Sequence, residues 1–185
     1  VHLVLCRLPD APAGNKGLSL MVAPKFLPDG SRNKIRCDGI EKKMGIKGSS
    51  TRQVFFNDCP VPVENMLSDR QNGFKIAVNI LNIGRIKLGA GVLGGVRTVI
   101  NQAITYAKDR KQFGVSIASF GAIKHKLAEM AIQTYATESL CYRSGQDVED
   151  KINALIADGM DEAQAKLKGV EQFAIECAIA KVHGS

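Results

Sequence analysis

The stretch 74–109 constrains this chain more than any other. Its pattern predicts one helix of about 36 residues, roughly 54 Å long at 1.5 Å per residue. Ile76, Val78, Ile80, Leu81, Ile83, Ile86 and Leu88 do not keep to a single stripe. Apolar residues on several sides predict a helix buried among others. Gly84, Gly89, Gly91, Gly94 and Gly95 each cost up to ~1 kcal/mol of helix propensity relative to Ala. Close helix crossings or the approach of a ligand would offset that cost.

Two more helices follow. Phe120, Ile123, Leu127, Met130, Ala131 and Tyr135 form an i, i+3, i+4 stripe that predicts a helix from 120 to about 144. Residues 145–159 are polar and mixed, and predict an exposed segment with a short helix at 151–157. Asp161 is a candidate N-cap for a third helix, with Val170, Phe173, Ala174, Cys177 and Ala178 on its buried face.

Upstream the pattern is different. Residues 2–8 and 17–23 are short apolar runs, 34–42 is a weaker strand candidate, and 52–57 is a stronger one around Val54, Phe55 and Phe56. Pro28-Asp29-Gly30-Ser31 is a turn, since Pro presets one angle and Gly permits positive φ. Pro60 and Pro62 end ladder pairing. The fold class is therefore α+β. A partial antiparallel β barrel or sandwich spans residues 1–66, and an antiparallel helical bundle spans 67–185. Both termini fall inside regular patterns, which predicts a fragment of a longer chain.

The formal net charge of +7 is spread along the chain, and aromatics are only 5%. Stacking platforms for nucleic acid are scarce, and no nucleic-acid module is recognisable. A diffuse positive balance suits an anionic small ligand or an acidic partner. No run of ~18 consecutive apolar residues marks a transmembrane segment, and no signal peptide is evident. Cys6, Cys37, Cys59, Cys141 and Cys177 are scattered, with no His at ligand spacing. They predict buried fillers in a reducing compartment and no metal site.

Two motifs concern ligands. Gly89-Ala90-Gly91-Val92-Leu93-Gly94 fits G-x-G-x-x-G, with Asp109 20 residues after Gly89. A dinucleotide fingerprint needs a strand just before the first glycine, and Asn82-Ile83-Gly84-Arg85-Ile86-Lys87-Leu88 puts two cations there. Small residues at a helix crossing are the expected role, and a nicotinamide-dependent enzyme is the less favoured alternative. The second motif is Tyr106-Ala107-Lys108-Asp109-Arg110-Lys111-Gln112-Phe113-Gly114, in which Gly114 is read as a helix-ending glycine. Arginine forks onto phosphate oxygens, glutamine reaches a ribose or ring edge, and phenylalanine offers a stacking face. A solvated helix end with cations near its negative terminus is the alternative.

Several ordered segments resemble the acyl-CoA dehydrogenase family. Glu41-Lys42-Lys43-Met44-Gly45-Ile46-Lys47-Gly48-Ser49-Ser50-Thr51 resembles its K-x-G-x-x-x-S-x-T segment, and Val54-Phe55-Phe56-Asn57-Asp58-Cys59-Pro60-Val61-Pro62-Val63-Glu64-Asn65 its strand-to-loop signature. Gly73-Phe74-Lys75 with Leu81-Asn82-Ile83-Gly84-Arg85 resembles the start of its long helix, and Arg110-Lys111-Gln112-Phe113-Gly114 its R-x-x-F-G corner. From about residue 41 the chain is most similar to the very-long-chain branch, whereas the first ~36 residues look like another branch of the superfamily.

The resemblance implies an oxidoreductase that binds FAD and dehydrogenates Cα–Cβ of long-chain acyl-CoA thioesters in β-oxidation. A glutamate takes the α-proton, and electrons pass to electron-transferring flavoprotein. It implies a homodimer or homotetramer, in the bacterial cytoplasm or the mitochondrial matrix. Residue by residue, Arg110 matches the arginine on the FAD pyrophosphate of a neighbouring subunit, with Gln112 and Phe113 its companions. Asn82 and Arg85 match positions lining the acyl-CoA channel, a structural ion pair being the alternative for Arg85. Ser49, Ser50 and Thr51 lie near the flavin side in relatives. Gly84 stands where some relatives carry the catalytic glutamate, and Gly121 where many place a flavin-contacting glutamine. The base is therefore expected beyond residue 185, and these residues alone are expected to be inactive. A binding or structural module that has lost the chemistry is the alternative.

Overall fold

A computed structural model describes residues 1–185. Contacts divide the chain into Val1–Ala77 and Val78–Ser185.

In the first unit, β1 (His2–Arg7) pairs antiparallel with β2 (Leu18–Ala23), from His2 opposite Ala23 to Arg7 opposite Leu18. β3 (Ile35–Ile40) pairs with β4 (Arg52–Phe56) through an irregular register between Cys37 and Ile40. β5 (Met66–Leu67) adds to the free edge of β2. The result is one three-stranded and one two-stranded antiparallel sheet, neither closed into a barrel. Leu20, Ala23 and Ile35 are its buried apolar residues.

Amides tie the loops to these sheets. Asn33 Nδ2 donates to Pro24 O at 2.9 Å and Pro60 O at 3.0 Å, and Asn65 Nδ2 donates to Val22 O at 2.9 Å. Each bond joins a side-chain amide to a main-chain carbonyl distant in sequence. Gly73 lies against β2, where an added Cβ would fall 2.4 Å from Ser19 C, so only glycine fits.

The second unit is helical. α1 (Gly73–Asp109) is the single long helix that the pattern predicts. Its surroundings differ from the expectation. Asn79, Asn82 and Ala107 are buried, but Leu81 and Val99 are each 58% exposed. α1 is apolar on several sides, yet its neighbours within this chain cover only part of it. By length and composition it would also pass for a membrane span, a test that core helices pass as well.

α2 (Gly121–Ala157) corrects the sequence reading, because it runs on through 145–157 without a break. Thr137, Cys141 and Ser144 continue a buried i, i+3/i+4 face. Arg143–Asp147 and Gln146–Asp150 pairs span successive turns across Gly145. One glycine costs only ~1 kcal/mol, which such contacts offset. The other end of α2 departs in the opposite sense. Tyr135, expected to face the core, is 74% exposed.

Asp161 caps the next helix as expected, accepting from Ala163 N and Gln164 N. That helix is interrupted at Phe173 (φ −106°, ψ 30°), giving α3 (Glu162–Gln172) and α4 (Ala174–Gly184). α3 packs closely on α2, where a Cβ at Gly169 would meet Ile152 Cγ1 at 2.5 Å. α4 packs on α1 and α2, where a Cβ at Gly89 would meet Cys141 Sγ at 2.9 Å and Ala180 O at 3.0 Å. The fold is thus α+β, with antiparallel sheets followed by a helical bundle.

Candidate functional site

The corner after α1 is built by a hairpin that the sequence pattern did not disclose. β6 (Lys111–Gln112) pairs with β7 (Val115–Ser116), Lys111 opposite Ser116 and Gln112 opposite Val115. Phe113 (φ 52°) and Gly114 (φ 83°) form its two-residue turn. Positive φ at both positions gives the twist that a two-residue hairpin needs. Gly114 is therefore a hairpin glycine, not the helix-ending glycine read from the sequence. The hairpin is anchored to the helix end. Ile117 N donates to Arg110 O at 2.9 Å, and Ser116 Oγ donates to Ala107 O at 2.8 Å. Ser116 went unnoticed in the sequence, since nothing local marks a serine as the clasp of a hairpin.

These bonds fix the backbone of Arg110 and leave its side chain uncommitted. Arg110 is exposed and its guanidinium has no hydrogen bond or ion pair in the chain. Gln112 is exposed as well, and the Phe113 ring is 93% exposed, touching Phe120 edge-on at a centroid distance of 6.3 Å. An unpaired guanidinium, an amide and an open aromatic face, held on one rigid turn, fit a diphosphate joined to a flat ring system.

Asn82 and Arg85 lie elsewhere, near the start of α1. Asn82 is 1% exposed, and its Oδ1 accepts from Arg85 Nη1 at 2.9 Å. Arg85 is partly exposed and forms no ion pair, so the structural salt bridge entertained for it is absent. Its charge reaches α4. Burial raises the pKa of the Cys177 thiol, as does the neighbouring Glu176 carboxylate, while Arg85 pulls it down. Asn82 Nδ2 and both polar atoms of Asn79 are buried without a partner. Asn79, 2% exposed, also escaped the sequence reading. The one available signal was its place one turn before Asn82.

The glycine motif at 89–94 lies wholly within α1, with helix before it and after it. No strand precedes it, which removes the structural basis of a dinucleotide fingerprint. Gly89 does sit at a helix crossing, but a Cβ at Gly91 or Gly94 would meet nothing within 4 Å. The positions of Gly84 and Gly121 are equally open, so packing within the chain does not require glycine there. Of the cysteines, Cys141 and Cys177 are buried as expected and Cys37 is exposed. Burial raises the pKa of the Cys141 thiol too. Two carboxylates of α2 have ordinary surface partners. Glu138 pairs with Arg97, and Glu129 lies 3.3 Å from His125.

An apolar groove of about 760 Å³ lies between α1 and α2 and ends at α4, lined by Val92, Val96, Val99, Met130 and His183 among others. At that end, His183 Nδ1 is 2.7 Å from Thr137 Oγ1. The Thr137 hydroxyl itself donates to Gln133 O.

Comparison with known proteins bears on the family. A probable acyl-CoA dehydrogenase of Bacillus subtilis (strain 168) is 43% identical over 145 residues, which is 78% of this chain and 24% of the relative. The mitochondrial very long-chain specific acyl-CoA dehydrogenase of Rattus norvegicus is also 43% identical over 145 residues, covering 78% of this chain and 19% of the relative. This chain therefore spans a quarter or less of the length of these two relatives. Among solved structures, an acyl-CoA dehydrogenase of Bacillus anthracis complexed with FAD superposes with a TM-score of 0.77 at 39% identity, covering 90% of this chain and 28% of that one. Residues 71–184 match the family model for the acyl-CoA dehydrogenase C-terminal domain. They take in α1, the hairpin and the bundle, and on that match the chain belongs to the acyl-CoA dehydrogenase family.

Proposed function

We propose that this chain is part of an FAD-dependent acyl-CoA dehydrogenase that removes hydrogens from Cα and Cβ of long-chain acyl-CoA thioesters in fatty-acid β-oxidation. Residues 1–66 belong to its central β domain and 67–185 to its C-terminal bundle. The observation that carries this reading is the unpaired Arg110 guanidinium on a clasped hairpin, in a chain of this family.

Arg110 grips the FAD diphosphate with a fork of N–H donors, and the charge-assisted bonds do not have to displace an internal partner. Gln112 and Phe113 hold the same nucleotide, the ring by stacking and the amide by hydrogen bonding. By resemblance that nucleotide is one shared with a neighbouring subunit, which makes the protein a homodimer or homotetramer. When bound, FAD supplies the hydride acceptor. Arg85 lies toward the acyl-CoA, with Asn82 beside it. No residue of this chain is assigned as the base, since Gly84 carries no carboxylate and Glu129 and Glu138 have surface partners. The electron acceptor is an electron-transferring flavoprotein, and the setting is the bacterial cytoplasm or the mitochondrial matrix.

The test is Arg110→Ala in the full-length protein, followed by dilution, gel filtration and an absorption spectrum. The wild type is expected to stay yellow and to bleach when palmitoyl-CoA is added. The variant is expected to hold FAD at least about tenfold less tightly, since a charge-assisted bond is worth roughly 1.5–3 kcal/mol. Unchanged flavin content would overturn the assignment.

A further inference from the structure

Asn82 and Arg85 do not play the same part. At 1% exposure, Asn82 is too enclosed to line a channel, whereas Arg85 is partly open. What Asn82 does contact is the guanidinium, at 2.9 Å. The choice of an amide matters. A carboxylate at that place would orient Arg85 equally well but cancel much of its charge. A neutral acceptor fixes the group and leaves its positive charge and remaining N–H donors for something else. A cation already held in place also loses less side-chain freedom when it binds.

The arrangement is costly for the fold alone. Asn82 Nδ2 and both polar atoms of Asn79 are buried and unpaired. Apolar residues of similar size would remove that penalty, so packing does not explain an amide here.

We propose that Asn82 is a positioning residue. It fixes the Arg85 guanidinium toward oxygen acceptors of the acyl-CoA and touches none of the substrate itself. This rests on the reading of Arg85 given above, and the experiment separates the two.

In the full-length holoenzyme, kcat and KM for palmitoyl-CoA are measured for Arg85→Ala, Asn82→Leu, Asn82→Asp and the double variant Asn82→Leu/Arg85→Ala. Arg85→Ala is expected to raise KM by roughly tenfold or more, the scale of a lost bond to a charged group. Asn82→Leu is expected to raise it several-fold with kcat within about twofold. The double variant is expected to match Arg85→Ala alone, because the two act as a unit. Asn82→Asp keeps the acceptor but cancels much of the guanidinium charge, and is expected to raise KM as well. Should the Leu variant not be recovered folded, Asn82→Ser, too short to reach the guanidinium, takes its place.

An unchanged KM in Arg85→Ala would overturn the role of Arg85, and the inference with it. A raised KM in Arg85→Ala with additive effects in the double variant would overturn the inference alone. So would an Asp variant with the KM of the wild type.

Discussion

Arg85 lies about a third of the way along one long helix, Arg110 lies just past its end, and the two are held by opposite means. Arg85 has its side chain fixed, through an amide that is itself buried. Arg110 has its backbone fixed, through a hairpin clasped by Ser116, and its side chain free. Between them Arg97 is neither, being paired with Glu138 across α1 and α2 at the surface. A cation can thus be made ready for a ligand by orienting the group or by orienting the segment that bears it. Where the charge is paired within the chain, as at Arg97, a ligand has to compete with that partner.

Substitutions at each place test that contrast. The largest expected effect is at Gly89, one turn beyond Arg85, where α1, α2 and α4 meet. Gly89→Val would push atoms into Cys141 Sγ and Ala180 O, and is expected to destabilise by about 1–3 kcal/mol, read as a lowered Tm. It should also disturb Arg85, since that end of α1 is oriented by packing. A Tm equal to that of the wild type would mean the helices are looser than the structure shows.

The hairpin should respond locally. Gly114→Ala places a side chain at φ 83° and is expected to cost about 1 kcal/mol confined to the turn. FAD retention should fall while Tm changes little. A large Tm drop with FAD retained would break the distinction between a packed site and a clasped one. The smallest effect is expected for Arg97→Ala, which removes an exposed pair. FAD content and Tm should both stay close to wild type, and loss of either would show that Arg97 is not the bystander its pairing suggests.

The extent of each helix was legible only where local rules rule. Asp161 marks a helix start because a carboxylate satisfies free N–H groups at that end, a bond formed within four residues. Gly145 misled because a break there depends on whether the flanking turns have partners, and α3 lies against the last part of α2. Phe173 interrupts the third helix for a reason the structure does not supply. At the site, Arg110, Gln112 and Phe113 were visible as residue types in a row. The hairpin that presents them was not, because its ladder and clasp join residues up to nine positions apart.

Sequence alone determined the two kinds of architecture, the long α1 and the family, since periodicity and ordered motifs are properties of the chain read in one dimension. Tertiary structure decided which face of α1 is covered, that Asn82 is enclosed and bonded to Arg85 while Arg110 stands free, and that Gly89 lies at a crossing but Gly91 does not. Burial and pairing depend on what residues distant in sequence bring alongside, and no local pattern records that.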